Sequence, residues 1–119
     1  MNTIQLIGRL TKDVELKTTQ NGKAVVINSL AVKRPFTKDT TDFITIVAWE
    51  QRANFLATYA KKGNRVGVNG YLTVREYEDK NGNKRSAYEV NATEVELLEG
   101  KAEQPTQMEQ LREDEELPF

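Results

Sequence analysis

The first residues alternate: Ile4 and Leu6 fall in one phase and Ile7 in the other, which predicts a strand over Met1–Arg9 with a bend or bulge at Gly8. A short strand around Val14–Lys17 leads into Gln20-Asn21-Gly22, where Asn-Gly supplies the positive φ of a tight turn. The long β-branched segment Ala24–Lys33 follows. Its Val25-Val26-Ile27 run breaks the alternation, as in a strand that is bulged or covered on both faces. Arg34–Asp42 is polar, has Pro35 near its start, and reads as a loop. Phe43–Trp49 alternates again, with Phe43, Thr45, Val47 and Trp49 on one face and Ile44, Ile46 and Ala48 on the other.

The period then changes from two to about 3.6. Gln51–Lys62 places Ala53, Leu56, Ala57 and Ala60 along one side and spaces Phe55 and Tyr59 four apart. Lys61 and Lys62 would close the last turn, with Gly63 just past it. Arg65–Tyr77 alternates most cleanly. Val66, Val68, Gly70, Leu72 and Val74 form its inward row, and Gly67, Asn69, Tyr71, Thr73, Arg75 and Tyr77 the other. A polar tip around Asn81-Gly82 turns the chain back through Tyr88, Val90 and Ala92. The phase then slips to Val95 and Leu97, which predicts a bulge near Thr93 or Glu94.

Taken as three strands, a helix and two strands, this order fits an all-β fold, a five-stranded Greek-key barrel with one helix between the third and fourth strands. That is the oligonucleotide/oligosaccharide-binding arrangement, the OB-fold. Gly67 and Gly70 would allow the sharp coiling that a small barrel needs. The expected division is a binding domain over residues 1–100, a flexible linker over 101–112 too poor in apolar groups to order itself, and an acidic tip over 113–119.

Composition narrows the chemistry. In 119 residues there is no Cys and no His, which removes disulfides, thiol nucleophiles, Cys/His zinc sites and serine–histidine pairs. No segment has the ~20 apolar residues that span a bilayer, and the expected setting is cytoplasmic. The formal charge of −1 conceals a split. Residues 1–100 hold fifteen basic and twelve acidic side chains, a net of +3, whereas residues 101–119 hold two and six, a net of −4. The body can therefore offer a positive face to nucleic acid.

The aromatic residues fit such a face. Phe43 and Trp49 lie six apart on one strand, as do Tyr71 and Tyr77 on another with Arg75 between the tyrosines, a spacing of ~20 Å at ~3.3 Å per residue. Bases stack on such rings irrespective of sequence, while cations hold the phosphates between them. The candidate stacking residues are Phe36, Phe43, Trp49 and Tyr77, each weighed against burial in the core. The candidate phosphate contacts are Lys33, Arg34, Arg75, Lys84 and Arg85, weighed against ordinary solvated charge. Tyr71 reads as subunit interface or sheet packing, and Phe55 and Tyr59 as helix packing.

At the end of the sequence, acidic residues precede Leu117-Pro118-Phe119. Asp114, Glu115, Glu116, Leu117, Pro118 and Phe119 read as a docking peptide, with an apolar side chain for a pocket and carboxylates to steer the encounter.

Several segments resemble the bacterial and phage single-stranded DNA-binding protein family. They are the opening Met1–Asp13, Asn21-Gly22, Asp42-Phe43-Ile44, Val47-Ala48-Trp49, Tyr59-Ala60-Lys61-Lys62-Gly63, Gly70-Tyr71-Leu72 and the acidic tip. The resemblance implies the oligonucleotide-binding fold, a homotetramer and sequence-independent wrapping of single-stranded DNA. It also implies recruitment of replication, recombination and repair proteins through the tip. The family's stacking aromatics fall on Phe36, Phe43, Trp49 and Tyr77. Val14 stands where the family commonly has proline, and residues 101–112 are shorter than the usual linker, which suits a phage or mobile-element copy. No cofactor is expected. Three rival functions compete with strand binding. Asp39 and Asp42, or Glu76, Glu78 and Asp79, would serve a nuclease as a metal pair, though a loop and a hairpin flank carry such charges without any metal. A docking or primosomal module would use the same barrel chiefly to hold another protein, and an RNA-preferring barrel would use the same stacking face.

Overall fold

The computed structural model describes residues 1–98; the expected linker and acidic tip lie outside the described residues. The elements run β1 (Ile4–Leu10), β2 (Lys17–Thr18), β3 (Ala24–Lys33), β4 (Thr41–Trp49), α1 (Gln51–Tyr59), β5 (Arg65–Glu78) and β6 (Lys84–Leu97). They form a six-stranded sheet in the order β1-β5-β6-β4-β3-β2, mixed because β4 runs parallel to β6.

This corrects the expected five-stranded OB-fold Greek-key barrel. The two-residue β2 pairs with Val25 and Ala24 and makes a sixth strand, so the helix lies between the fourth and fifth strands. β1 meets β3 over only two residue pairs, Arg9 with Ala31 and Leu10 with Leu30. There β1, one end of the sheet, touches β3, the strand next to the other end, and no full-length ladder joins the two into a barrel.

Side chains in the inward phase of the strands make one core. Leu10, Val26, Leu30, Ile46, Val66, Val68, Val90 and Val95 meet Ala53, Phe55 and Leu56 of the helix. Burying each large apolar side chain contributes roughly 1.5–3 kcal/mol. Asn28 is the buried polar residue of this core. Its Nδ2 donates to the Lys12 carbonyl at 3.1 Å, and its Oδ1 accepts from the Ser29 amide at 2.7 Å. The broken alternation at Val25-Val26-Ile27 has a packing cause. Val26 faces the core, while Val25 is buried on the outer face where it lies directly opposite Trp49.

The helix is shorter than its pattern suggested. Ala60 is already extended, and Lys61 and Lys62 lie beyond the last turn. The chain leaves early because it must meet β1: the Gly63 amide donates to the Leu10 carbonyl at 2.8 Å, and the Leu10 amide to the Asn64 carbonyl at 3.0 Å. Phe55 takes the buried place expected of Ala57, which is exposed, and packs against Tyr59 with ring centroids 5.2 Å apart and planes tilted by 50°.

The predicted bulge is present. Asn69 pairs with Glu94 and Gly70 with Ala92, which leaves Thr93 as the extra residue. A Cβ at Gly70 would collide with the Asn91 carbonyl across the ladder, so only glycine lets the strands approach there. Gly70→Ala is therefore expected to cost about 1–3 kcal/mol of stability, read as a lowered urea midpoint. An unchanged midpoint would mean that the ladder yields freely at this bulge.

Candidate nucleic-acid interface

The outward phase of the strands leaves a second face. Register places Ile27, Val47, Asn91 and Tyr71 in one row across β3, β4, β6 and β5, and Ser29, Thr45, Glu89 and Thr73 in the next. Phe43 lies opposite Ala31, Arg75 opposite Ala87, and Tyr77 opposite Arg85. Four predicted side chains, Phe43, Trp49, Arg75 and Tyr77, thus share one continuous surface with Arg85. Phe43 is 69% exposed and Tyr77 44% exposed, although both stand on strands. Trp49 is half-buried beside a cleft of about 430 Å³ lined by Thr19, Asn21, Lys23 and Glu50.

Phe36 is presented differently. It is fully exposed in the β3–β4 loop with φ at 66°, a left-handed conformation that bulky side chains rarely adopt. The neck of the loop is tied below it. The Arg34 amide donates to the Thr40 carbonyl at 3.0 Å. The Arg34 guanidinium donates from Nε and Nη2 to the two Asp42 carboxylate oxygens at 3.1 and 2.7 Å.

The cations divide into two groups. Arg34, Arg75 and Arg85 each hold a carboxylate. Arg75 Nε donates to Glu89 at 3.0 Å while its guanidinium lies 5.4 Å from the Tyr77 ring centroid, and Arg85 Nε donates to Asp79 at 3.0 Å. These pairs fix the direction of the guanidinium groups and offset part of their charge. The Arg75 and Arg85 pairs engage Nε alone, so the Nη groups remain available to a phosphate. Lys33 and Lys84 form no ion pair among the described residues. Lys33 follows the face at the loop neck. Lys84 lies opposite Glu78 and projects from the other side of the hairpin, away from Tyr77 and Arg85.

Three contributors escaped the sequence reading. Glu89 places an anion in the middle of the face, Ile27 is 59% exposed two strands away in the adjoining row, and Tyr88 stands at the rim. Registering the hairpin on its Asn81-Gly82 turn would have set Glu89 opposite Thr73; the exposure of Ile27 and Tyr88 depends on which strands stop short of them.

Two of the carboxylates considered for a nuclease, Asp42 and Asp79, are otherwise engaged. Hydrogen bonding from Arg34 holds the Asp42 carboxyl below the ordinary aspartate range. Arg85, together with the Asn83 and Asn81 amides, does the same for Asp79. Among the described residues no group of three or more His, Cys, Asp or Glu side chains could hold a metal ion, and no helix is long and apolar enough to cross a membrane.

A sheet with one face around a core and the other carrying spaced, exposed rings and oriented cations is an arrangement on which an unpaired polynucleotide strand could stack. Residues 1–98 match the model of the Single-strand binding protein family, and the chain belongs to that family. It is 44% identical over 105 residues to single-stranded DNA-binding protein A of Bacillus subtilis, covering 85% of this chain and 61% of that one. The single-stranded DNA-binding protein of Clostridium tetani is 48% identical over 103 residues, covering 83% and 71%. For single-stranded DNA-binding protein 3 of Streptococcus agalactiae the figures are 43% over 108 residues, 87% and 78%. The matches thus span from about three-fifths to about four-fifths of these relatives' lengths.

The paired aspartates give a pH prediction. A carboxyl lowered in the folded state contributes stability above its unfolded pKa, and that contribution is lost as pH falls through the lowered value. Side-chain carboxyl NMR titration should find Asp42 and Asp79 protonating below the ordinary aspartate range. Arg34→Ala should return Asp42 to that range, and Arg85→Ala should return Asp79 only part of the way because the two amides remain. Ordinary titration of both groups in the unmodified chain would show that the ion pairs do not persist in solution.

Proposed function

We propose that this chain binds and protects single-stranded DNA without regard to sequence during replication, recombination and repair. The observation that carries the reading is the outer sheet face, where Phe43 and Tyr77 stand exposed on strands, Phe36 is held out by a tied loop, and cations lie between them. Bases of a single strand stack on the rings, and Lys33, Arg34, Arg75 and Arg85 meet its phosphates. Lys84, on the reverse of the hairpin, meets the backbone only where the strand passes round the hairpin edge. Duplex DNA is refused because its bases are already stacked on one another.

The assembly is a homotetramer acting in the cytoplasm. In support, β1 pairs with β5 along Ile4–Arg9 but with β3 only at Arg9 and Leu10, which leaves part of its other edge open to a second copy. The acidic segment Asp114–Phe119 recruits partner proteins, with Phe119 as the apolar anchor and the carboxylates as steering charge. Sedimentation equilibrium of the full chain should give four copies; a monomer would refute the tetramer.

Trp49, the sole tryptophan, provides the test. Titration with a long single-stranded DNA should quench its fluorescence to saturation, whereas a matched duplex should not. Phe43→Ala should weaken binding by about 5- to 150-fold, corresponding to ~1–3 kcal/mol for one base stack. Lys33→Ala should lower the log–log salt slope by about one. No binding of any strand would overturn the reading, and equal affinity for RNA would overturn the assignment to DNA.

A further inference from the structure

β4 and β6 pair only where Thr45–Val47 meets Glu89–Asn91. On the Phe43 side of that point they diverge. Phe43 remains paired with Ala31 of β3, and Tyr88 with Val74 of β5. A cleft of about 360 Å³ opens there, with Ile4, Ile44, Leu72 and Val90 in its lining together with Phe43, Thr45 and Tyr88.

Tyr88 belongs to the inward phase of β6, the phase that puts Val90 and Ala92 in the core, yet it is 63% exposed, and Val74 across from it is 53% exposed. The hairpin overshoots its neighbours. Just ahead of β1, the Asn2 side chain accepts from the Leu72 amide at 2.9 Å and donates to the Leu72 carbonyl at 2.8 Å, and the Tyr88–Val74 pair beyond it stays exposed.

We infer that this cleft receives one unstacked nucleobase of the bound strand and that Tyr88 is a further stacking residue, an inference that rests on the strand-binding reading above. Three features select a base as occupant. The lining is uncharged and almost wholly apolar, which excludes phosphate but suits a neutral heterocycle. The volume lies at the small end of small-molecule sites. The cleft is also continuous with the stacking face, because Phe43 belongs to both. A base leaving the Phe43 ring thus turns inward against Tyr88. Glu76 and Glu78 stand farther out on the Tyr88 side, opposite Ser86 and Lys84, so the phosphates stay on the Phe43 side and only the base crosses.

The test uses the full chain and an oligo-dT strand with a single 5-iododeoxyuridine, cross-linked by near-ultraviolet light and mapped by mass spectrometry. The expected result is a cross-link on Tyr88 in addition to those on the outer face. In parallel, anisotropy with labelled oligo-dT should show Tyr88→Ala weakened about 5- to 30-fold, the lower part of the range for one base–aromatic stack, with Tyr88→Phe close to the unmodified chain. Sedimentation should give the same oligomer for all three.

Unchanged affinity of Tyr88→Ala with no cross-link at Tyr88, in a chain that still binds and still responds to Phe43→Ala, would overturn the cleft and leave the strand-binding reading standing. Loss of the oligomer in Tyr88→Ala would overturn it in favour of a second copy as occupant. An unmodified chain that binds no strand would overturn both readings.

Discussion

The close approach of β5 and β6 at Gly70 governs much of the rest of the structure. The Asn91 carbonyl occupies the space that a side chain would need, and Thr93 is left out of the ladder beside it. A bulge of this kind adds local twist and bends its strand. On one side of it Val66, Val68, Val95 and Leu97 turn into the core. On the other side the hairpin runs on past the strands that would cover it. One backbone contact thus divides a fourteen-residue strand into a structural half and a half given to the surface.

That division explains which parts of the molecule were legible in the sequence. The two phases of β4 were readable because both of its faces alternate over the full strand, and Phe43 and Trp49 duly share the outer one. The slip at Thr93 was readable because the apolar phase itself shifts there. Strand number was less accessible. A two-residue strand such as Lys17–Thr18 has no periodicity, and its existence depends on the partner it finds in β3. The end of the helix was misjudged for a related reason: Ala60, Lys61 and Lys62 are helix-compatible residues, and a tertiary hydrogen bond from Gly63 to Leu10 ends the helix before them.

The candidate site was legible as a set of rings and cations but not as a circuit. Arg34 meets Asp42 across a loop neck, a partnership with no fixed spacing in the sequence, and Arg75 meets Glu89 across a strand pair that only the register of the hairpin turn aligns. Lys84 and Arg85 are neighbours in sequence yet face opposite ways, because one residue along a strand is a change of side. Tyr88 was hidden by its own phase. It alternates as a core residue does, and only the early end of β1 and the divergence of β4 leave it in the open.

The ion pairs bear on how such a face discriminates. If all five candidate cations were free, the surface would bind any phosphate backbone, and duplex DNA with its denser charge would compete strongly. Three of them instead face carboxylates, which reduces the net field while holding each guanidinium in place. Surface pairs of this kind add little stability, so their effect is mainly to orient and to temper charge. What remains to distinguish a single strand from a duplex is the exposed ring area, which only unpaired bases can reach. On the reading proposed above, a face whose cations are largely balanced and whose rings are not draws its selectivity from stacking and leaves to electrostatics the placement of the backbone.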